Sequence, residues 1–233
     1  TNAPHGPLWV PDHCRHPYRD QVKANEASFF GMIANIDQNL GRLDRYLHQN
    51  GLHENTILIF MTDNGTASGE NVFNADMRGK KSSLYEGGHR VPFFVRWPDG
   101  NIQGGRDVEG LTRGTDLLPT LIDLCGLDLP DGLSFDGLSL ADPLQTGQPV
   151  STERISVVQF GHPNEGIWGY TAEDQAAVMW QHWRLVNGHE LYDVNTDPGQ
   201  SNDLSADHPD IVSRLHDHYQ AWWDGVGQNL NHY

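Results

Sequence analysis

The chain has 233 residues, 15 Lys and Arg against 31 Asp and Glu, a formal net charge of −16, and two cysteines. That length supports a buried core without disulfide or zinc staples, and two cysteines far apart exclude a thiol metal cluster. The negative charge argues against nucleic acid as a partner, and the longest apolar run, residues 56–62, is far shorter than the roughly 20 residues of a membrane-spanning helix.

The first predicted element is a long amphipathic helix over residues 25–49. Its apolar residues alternate between spacings of four and three, which places them on one helical stripe. These residues are Phe29, Ile33, Ile36, Leu40, Leu43 and Leu47. Asn50 and Gly51 predict a left-handed helix end.

An α/β pattern follows the helix. Residues 56–62 are β-branched and apolar on both faces, which is typical of a central strand in a parallel sheet covered by helices. Residues 91–97 predict a second strand. Thr115 is the expected N-cap of a helix that ends at Gly126.

The later part of the chain predicts a separate subdomain. Residues 127–153 are rich in Gly, Pro, Asp and Ser and are expected to form a connector. Residues 176–186 and 190–194, joined by a short glycine turn, predict an antiparallel hairpin. Residues 209–226 predict a packed terminal helix. We therefore divide the chain into residues 1–145, an α/β domain, and residues 146–233, a small α+β subdomain.

The candidate chemistry is concentrated between residues 63 and 92. Asp63 and Asn64 follow the apolar strand, and oxygen donors at a strand end suit Ca²⁺ or Mg²⁺. Residues 77–92 combine glycines with three cations, Arg78, Lys80 and Lys81, in an otherwise acidic chain, as an anionic ligand would require. Asp63 to Gly65 could equally be an ordinary turn, and the cations could belong to a solvated loop.

These segments resemble the type I sulfatases, the formylglycine-dependent members of the alkaline-phosphatase-like superfamily. The resemblance rests above all on residues 78–92, RGKKSSLYEGGHRVP, which are similar to the second sulfatase signature. Shorter matches follow in family order along the chain: residues 2–7 (NAPHGP), 62–65 (TDNG), 115–124 (TDLLPTLIDL), 135–140 (FDGLSL), 183–186 (WRLV), 190–193 (ELYD) and 197–198 (DP).

The resemblance implies a fold and site roles. The fold would be a partial alkaline-phosphatase-like mixed sheet with flanking helices, followed by a C-terminal α+β subdomain with an antiparallel sheet and a terminal helix. Asp63 and Asn64 match metal ligands, normally for Ca²⁺ with Mg²⁺ as the alternative. Lys81 matches the lysine that holds a sulfate oxygen, and His5 matches a histidine that contacts the sulfate or the leaving oxygen.

The resemblance assigns neighbouring residues to the loop rather than to chemistry. Lys80 is expected to be a bystander. The residues expected to shape the loop are Glu86, Gly87, Gly88 and Arg90. A cation and a lysine that clamp the sulfonate oxygens, with a histidine beside the departing alcohol, form a coherent site for cleavage of a sulfate monoester.

The nucleophile of the family is not visible in the chain. Formylglycine arises from a Cys or Ser within a Cys/Ser-x-Pro/Ala-x-Arg signature, and neither Cys14 nor Cys125 lies in such a context. The paired aspartates that complete the metal shell in the family are also absent. We therefore expect a C-terminal portion of a sulfatase, with the formylglycine on an upstream segment and no turnover by this chain alone.

The sequence is also compatible with other functions and partners. A phosphonate or phosphodiester hydrolase would use a cation and a lysine in the same way. A non-catalytic module that binds sulfated glycans is a second alternative. The expected partner is a sulfated small molecule or carbohydrate, with a homo-oligomer or association with the missing N-terminal portion as further options. The resemblance favours a periplasmic, secreted or lysosomal location over the cytoplasm.

Several aromatic and histidine residues each allow two interpretations. His89 could face a substrate, although packing is the expected role. Residues 160–165, which include His162, and Trp168 could line a carbohydrate-binding mouth or cover the small sheet.

Overall fold

The computed structural model of the protein describes residues 2–159 and 176–230. The expected contributions of residues 160–165 and Trp168 to a substrate mouth lie outside these described residues. Within the described part of the chain, no helix is both long and apolar enough to cross a membrane.

The chain begins with a short helix that packs on a long one. Helix α1 (Asp12–Arg15) leads through a 3₁₀ turn (His16–Tyr18) to α2 (Ala24–Gln49), which confirms the predicted long helix. The Glu26 side chain accepts a hydrogen bond from the Lys23 backbone N–H at 2.9 Å and so caps the helix start. A Cβ on Gly31 would lie 3.0 Å from the Arg15 Cα, so this glycine lets α1 approach α2.

The predicted apolar stripe of α2 is only partly buried. Phe29 and Leu47 are buried, whereas Ile33 and Leu43 are each 43% exposed. The spacing therefore identified the apolar face of α2. The described residues bury only part of that face.

Within the described residues, the first sheet has two strands. Strand β1 (Leu58–Met61) pairs antiparallel with β2 (Phe93–Arg96), with Leu58 opposite Arg96 and Met61 opposite Phe93. Both predicted strands are present, but the partner of β1 among the described residues is antiparallel, not the expected parallel neighbour. An apolar pattern on both faces reports burial and does not encode the direction of the neighbouring strand.

Short helices lie between the strands. Helix α3 (Glu86–His89) precedes β2, α4 (Leu117–Cys125) follows it, and α5 (Ala141–Thr146) lies within the otherwise irregular connector. Gly126 ends α4 in a left-handed conformation with φ of 60°, as predicted.

The predicted N-cap of α4 is displaced by one residue. Thr115 lies inside a 3₁₀ turn (Gly114–Asp116), and Asp116 is the N-cap residue of α4. The Asp116 carboxylate accepts the backbone N–H groups of Arg113 and Leu138 at 2.7 and 2.9 Å and pairs with Arg154 at 2.6 Å. The Asp116 carboxylate therefore joins three segments of the chain. The sequence around the start of α4 gives no indication of these long-range contacts.

The second sheet is antiparallel in the order β3 (Ile155–Gln159), β4 (Ala176–Trp180), β5 (Trp183–Val186) and β6 (Glu190–Asp193). Helix α6 (Pro209–Leu230) packs against it, which confirms the predicted antiparallel sheet and terminal helix. The shared core contains Ala176, Val178, Leu185, Leu191, Leu215 and Tyr219. The single strand expected over residues 176–186 is wrong, because Gln181, with φ of 49°, turns the chain between β4 and β5.

Two buried ion pairs connect the earlier and later parts of the chain. Arg154 pairs with Asp116, and Arg184 pairs with Glu86, each at 2.6 Å between nitrogen and oxygen. The division of the chain at residues 145 and 146 stays a prediction.

Candidate functional site

The end of strand β1 presents two oxygen-bearing side chains. The strand stops at Met61, and the Thr62 hydroxyl donates to the Asn64 carbonyl at 3.2 Å, which tightens the following turn. Asp63 is exposed and Asn64 is half-buried. Within residues 2–159 and 176–230, neither side chain forms a hydrogen bond or an ion pair, so their oxygens are not committed to the protein. A carboxylate and an amide oxygen fit a hard cation such as Ca²⁺.

Two backbone hydrogen bonds join this turn to the loop that carries Lys81. The Gly65 N–H donates to the Gly88 carbonyl at 2.9 Å, and the Lys81 N–H donates to the Thr66 carbonyl at 2.8 Å. A Cβ on Gly65 would lie 1.8 Å from the Gly87 carbonyl oxygen, so only glycine permits this approach. The structure thus brings the segments that carry Asp63, Asn64 and Lys81 into direct contact.

The loop over residues 78–89 folds tightly on itself. The Gly87 N–H donates to the Arg78 carbonyl at 2.8 Å, and the Gly88 N–H donates to the Tyr85 carbonyl at 2.8 Å. A Cβ on Gly87 would lie 2.3 Å from the Gly79 carbonyl, and one on Gly88 would lie 2.0 Å from the Ser83 carbonyl. The glycines therefore permit the compact loop, in agreement with their predicted shaping role.

The two adjacent lysines differ in their surroundings. The Lys80 ammonium pairs with the Glu70 carboxylate at 2.7 Å. That hydrogen bond is the main reason why the pKa of Glu70 lies below its ordinary value. Lys81 is half-buried, and its ammonium has no ion-pair partner in the part of the chain that the structure describes. The charge of Lys81 is thus available to an anion, whereas Lys80 is already neutralised.

His5 lies in a turn of its own. Its backbone N–H donates to the Asn2 carbonyl at 2.8 Å, and its Nδ1 is 2.9 Å from the Gly6 carbonyl. The ring is exposed. Among the described residues, no hydrogen bond or ion pair connects His5 to the turn with Asp63 or to the loop with Lys81. The structure therefore joins the metal and lysine segments but does not join His5 to them.

A buried carboxylate anchors the lysine loop to the second sheet. Glu86 is 1% exposed, and its Oε1 accepts the Arg184 Nε–H at 2.6 Å. Its backbone N–H donates to the Gln200 side-chain oxygen at 2.8 Å. Burial opposes the charge of Glu86, but the Arg184 guanidinium outweighs it, so the pKa of Glu86 lies below its ordinary value. The sequence singled out Glu86 but missed Gln200 and the role of Arg184, whose charge within an apolar strand was the available signal.

Arg78 and Glu190 form a second set of polar contacts with the lysine loop. The Arg78 guanidinium lies 3.7 Å from the centre of the Tyr85 ring and donates to the Gln200 carbonyl at 2.9 Å. Glu190 accepts hydrogen bonds from both the Tyr85 and Tyr192 hydroxyls. Burial and the Glu190 carboxylate raise the pKa of Tyr192 to about 12. The Arg78 charge thus serves to hold the loop.

His89 is engaged within its loop. Its Nε2 lies 3.1 Å from the Leu84 carbonyl. Burial lowers the pKa of His89, although the nearby Glu86 opposes that shift. This setting agrees with the packing role expected from the sequence.

Known protein families match this chain over the residues that form the turn and the lysine loop. A family model described as Sulfatase matches residues 1–127, and one described as N-sulphoglucosamine sulphohydrolase, C-terminal, matches residues 79–222. An arylsulfatase of Clostridium perfringens is 33% identical over 186 residues, which cover 78% of this chain and 36% of that protein.

Two solved structures share the architecture. The crystal structure of Ps i-CgsB in complex with k-i-k-neocarrahexaose has a TM-score of 0.82 at 22% identity and covers 94% of this chain and 48% of that one. The phosphonate monoester hydrolase of Agrobacterium radiobacter has a TM-score of 0.62 at 26% identity and covers 89% and 42%. The chain spans about half the length, or less, of these proteins. With the Sulfatase model covering its first 127 residues and the signature loop among them, the chain belongs to the sulfatase family.

Proposed function

We propose that the whole protein is a sulfuric ester hydrolase and that this chain supplies part of its metal and sulfate site. The observation that carries the proposal is the pair of hydrogen bonds from Gly65 to Gly88 and from Lys81 to Thr66. They fix the turn with Asp63 and Asn64 against the loop with Lys81, as a site for a cation and an oxyanion requires. Membership of the sulfatase family supports the same reaction.

Asp63 and Asn64 would hold Ca²⁺, with Mg²⁺ as the alternative. Their oxygens are not used by the described part of the protein, and this donor set suits either hard cation. The bound cation would polarise a sulfonate oxygen and offset its charge.

Lys81 and His5 are assigned to the substrate. The Lys81 ammonium would donate to a sulfonate oxygen, because no carboxylate among the described residues neutralises it. His5 would donate a proton to the departing oxygen. His5 is exposed, and among the described residues its hydrogen bonds lie within its own turn, which leaves its Nε2 open to a substrate.

The nucleophile is assigned to polypeptide outside this chain. Cys14 is 2% exposed and lies 3.7 Å from the Asn35 side-chain nitrogen, which is a packed structural setting. Cys125 is exposed at the end of α4, in a sequence unlike the formylglycine signature. A formylglycine on an upstream segment would complete the site.

A carbohydrate sulfate is the substrate class that we favour. Ps i-CgsB, with which this chain shares its fold, was crystallised in complex with k-i-k-neocarrahexaose. A phosphonate hydrolase is the second candidate, because the Agrobacterium enzyme shares both fold and 26% sequence identity.

The test compares two neighbouring lysines in the full-length protein, produced together with a formylglycine-generating enzyme. We expect turnover of 4-nitrophenyl sulfate and a loss of about 100-fold or more in kcat/KM for Lys81→Ala. Lys80→Ala is the matched control and should change little, since Lys80 is paired with Glu70.

Three results would contradict the proposal in different ways. Unchanged activity in Lys81→Ala would remove the role of this lysine. Turnover of a phenylphosphonate in place of the sulfate would favour phosphoryl chemistry. Binding of a sulfated oligosaccharide without cation binding or turnover would favour a non-catalytic glycan-binding protein.

A further inference from the structure

A group of three side chains of the types that bind metals lies at the end of α2, away from the turn that carries Asp63 and Asn64. Asp44 and His48 are one helical turn apart, and His53 follows in the loop towards β1. Each of the three offers one ligand atom, and these atoms lie within 4.8 Å of one another. The His48 and His53 rings face each other with centroids 3.7 Å apart and planes tilted by 34°.

The carboxylate of Asp44 retains an oxygen for a ligand. Arg96 donates to Oδ1 at 2.7 Å, while Oδ2 lies 3.6 Å from the His48 Nδ1. One oxygen is thus held by Arg96 and the other points to the histidine side.

Each of the two histidine rings has one nitrogen next to an oxygen atom. The His48 Nδ1 lies 2.9 Å from the Asp44 backbone carbonyl, and the His53 Nδ1 lies 3.1 Å from the Glu54 carboxylate. Carbonyl and carboxylate oxygens accept hydrogen bonds, so these contacts engage the Nδ1 of each ring. Among the described residues the Nε2 of neither ring has a hydrogen-bond partner, which leaves that nitrogen for a metal. A second partner on the other ring nitrogen is also the usual arrangement around histidine ligands of metals.

We propose that Asp44, His48 and His53 bind one Zn²⁺ ion. Two imidazoles and a carboxylate are a donor set typical of zinc, with water in the fourth position. Donor atoms around a tetrahedral zinc ion lie about 3.3 Å apart, so modest rotations of the partly exposed side chains would close the site. The ion would tie the last turns of α2 to the loop that leads into β1.

The experiment measures zinc binding to the full-length protein after chelator treatment, with excess Ca²⁺ present to fill the oxygen-donor site. Calorimetric titration should give one zinc equivalent that saturates at micromolar concentration. His48→Ala and His53→Ala should each weaken this binding at least tenfold. His13→Ala, which removes an exposed histidine from α1, is the control and should leave it unchanged.

Two further measurements distinguish this site from surface binding. Co²⁺ should produce the visible absorption of a four-coordinate ion in wild type and in His13→Ala, but not in His53→Ala. Zinc should raise the melting temperature of the first two proteins only. Zinc stoichiometry, affinity and melting shift that survive in both His48→Ala and His53→Ala would overturn the proposal. Because sulfatase turnover is not measured, the outcome is independent of the proposed function.

Discussion

At the scale of single residues, Glu86 links the lysine loop to the second sheet. Its carboxylate is almost inaccessible and faces the buried Arg184 guanidinium, which lies 98 positions later in the chain. The Arg90 guanidinium approaches the other carboxylate oxygen at 3.3 Å. Removing one member of a buried pair leaves the other charge without compensation, which costs more than the net stability of the pair.

Arg184→Met should therefore lower the free energy of unfolding by about 3 to 5 kcal/mol, because Glu86 would stay buried without its main cation. Urea denaturation of the full-length protein at pH 7 measures the loss. Arg19→Met removes an exposed pair with Asp12 and should have a much smaller effect, since solvent screens that pair. Equal losses in the two variants would show that Glu86 does not depend on Arg184.

The pH dependence provides a second arm of the same test. The pKa of Glu86 is lowered in the folded state from an ordinary value of 4.5, so the stability from the pair is fully present above pH 4.5. It is lost as the pH falls through the lower folded-state pKa, where the carboxylate takes up a proton. The difference between wild type and Arg184→Met should thus narrow below pH 4.5. A constant difference down to the acid transition would contradict the assignment.

At the scale of elements, the contact between the turn after β1 and the lysine loop depends on Gly65. A methyl group there would lie 1.8 Å from the Gly87 carbonyl oxygen, and backbone atoms would have to move. Gly65→Ala should lower the free energy of unfolding by about 1 to 3 kcal/mol. It should also lower kcat/KM for an aryl sulfate, because the cation and lysine segments would separate.

Gly104→Ala is the matched control, since a Cβ at Gly104 meets nothing within 4 Å. Denaturation and steady-state kinetics of both variants in the full-length protein distinguish the two effects. Wild-type activity in a Gly65→Ala protein that is clearly destabilised would show that the contact supports the fold but not the site.

The elements also show which parts of the fold are encoded locally. Helix α2 begins and ends within one residue of its predicted limits, whereas α6 begins at the predicted Pro209 but ends four residues later than predicted, at Leu230. The agreement arises because the spacing of apolar residues and the flanking Asn, Gly and Pro act within or next to the helix itself. The turn at Gln181 was missed since neither Gln181 nor His182 is a typical turn residue. The antiparallel pairing of β1 with β2 was also missed, because strand direction depends on residues far along the chain.

In the candidate site, too, some features are encoded locally and others depend on distant residues. Asp63, Asn64 and Lys81 could be proposed from motif order, and the glycines around them were correctly expected to shape the loop. The partners of that loop, Arg184 and Gln200, lie more than 90 positions away, and only the folded chain reveals their hydrogen bonds. Local patterns thus identified the loop, whereas long-range contacts determine how it is held.

At the scale of the whole molecule, the 233-residue chain leaves much apolar surface exposed. Phe94 in β2 is 65% exposed, and Ile33 and Leu43 on the predicted stripe of α2 are each 43% exposed. The chain spans about half the length of its relatives or less. Under the proposed function, polypeptide outside this chain would cover this surface. Large exposed apolar patches favour association, and strand edges provide hydrogen-bonding groups for it.

The chain expressed by itself should therefore self-associate, because burial between copies is the available way to remove this surface from water. Size-exclusion chromatography with light scattering should show a concentration-dependent mass above 26.1 kDa, together with strong binding of a hydrophobic dye. Phe94→Glu should reduce both signals, since a charge on that face opposes close contact, whereas Leu127→Glu, at an exposed position beyond α4, is a control for added charge alone. A monodisperse monomer of the isolated chain that melts cooperatively would show that the exposed face needs no cover.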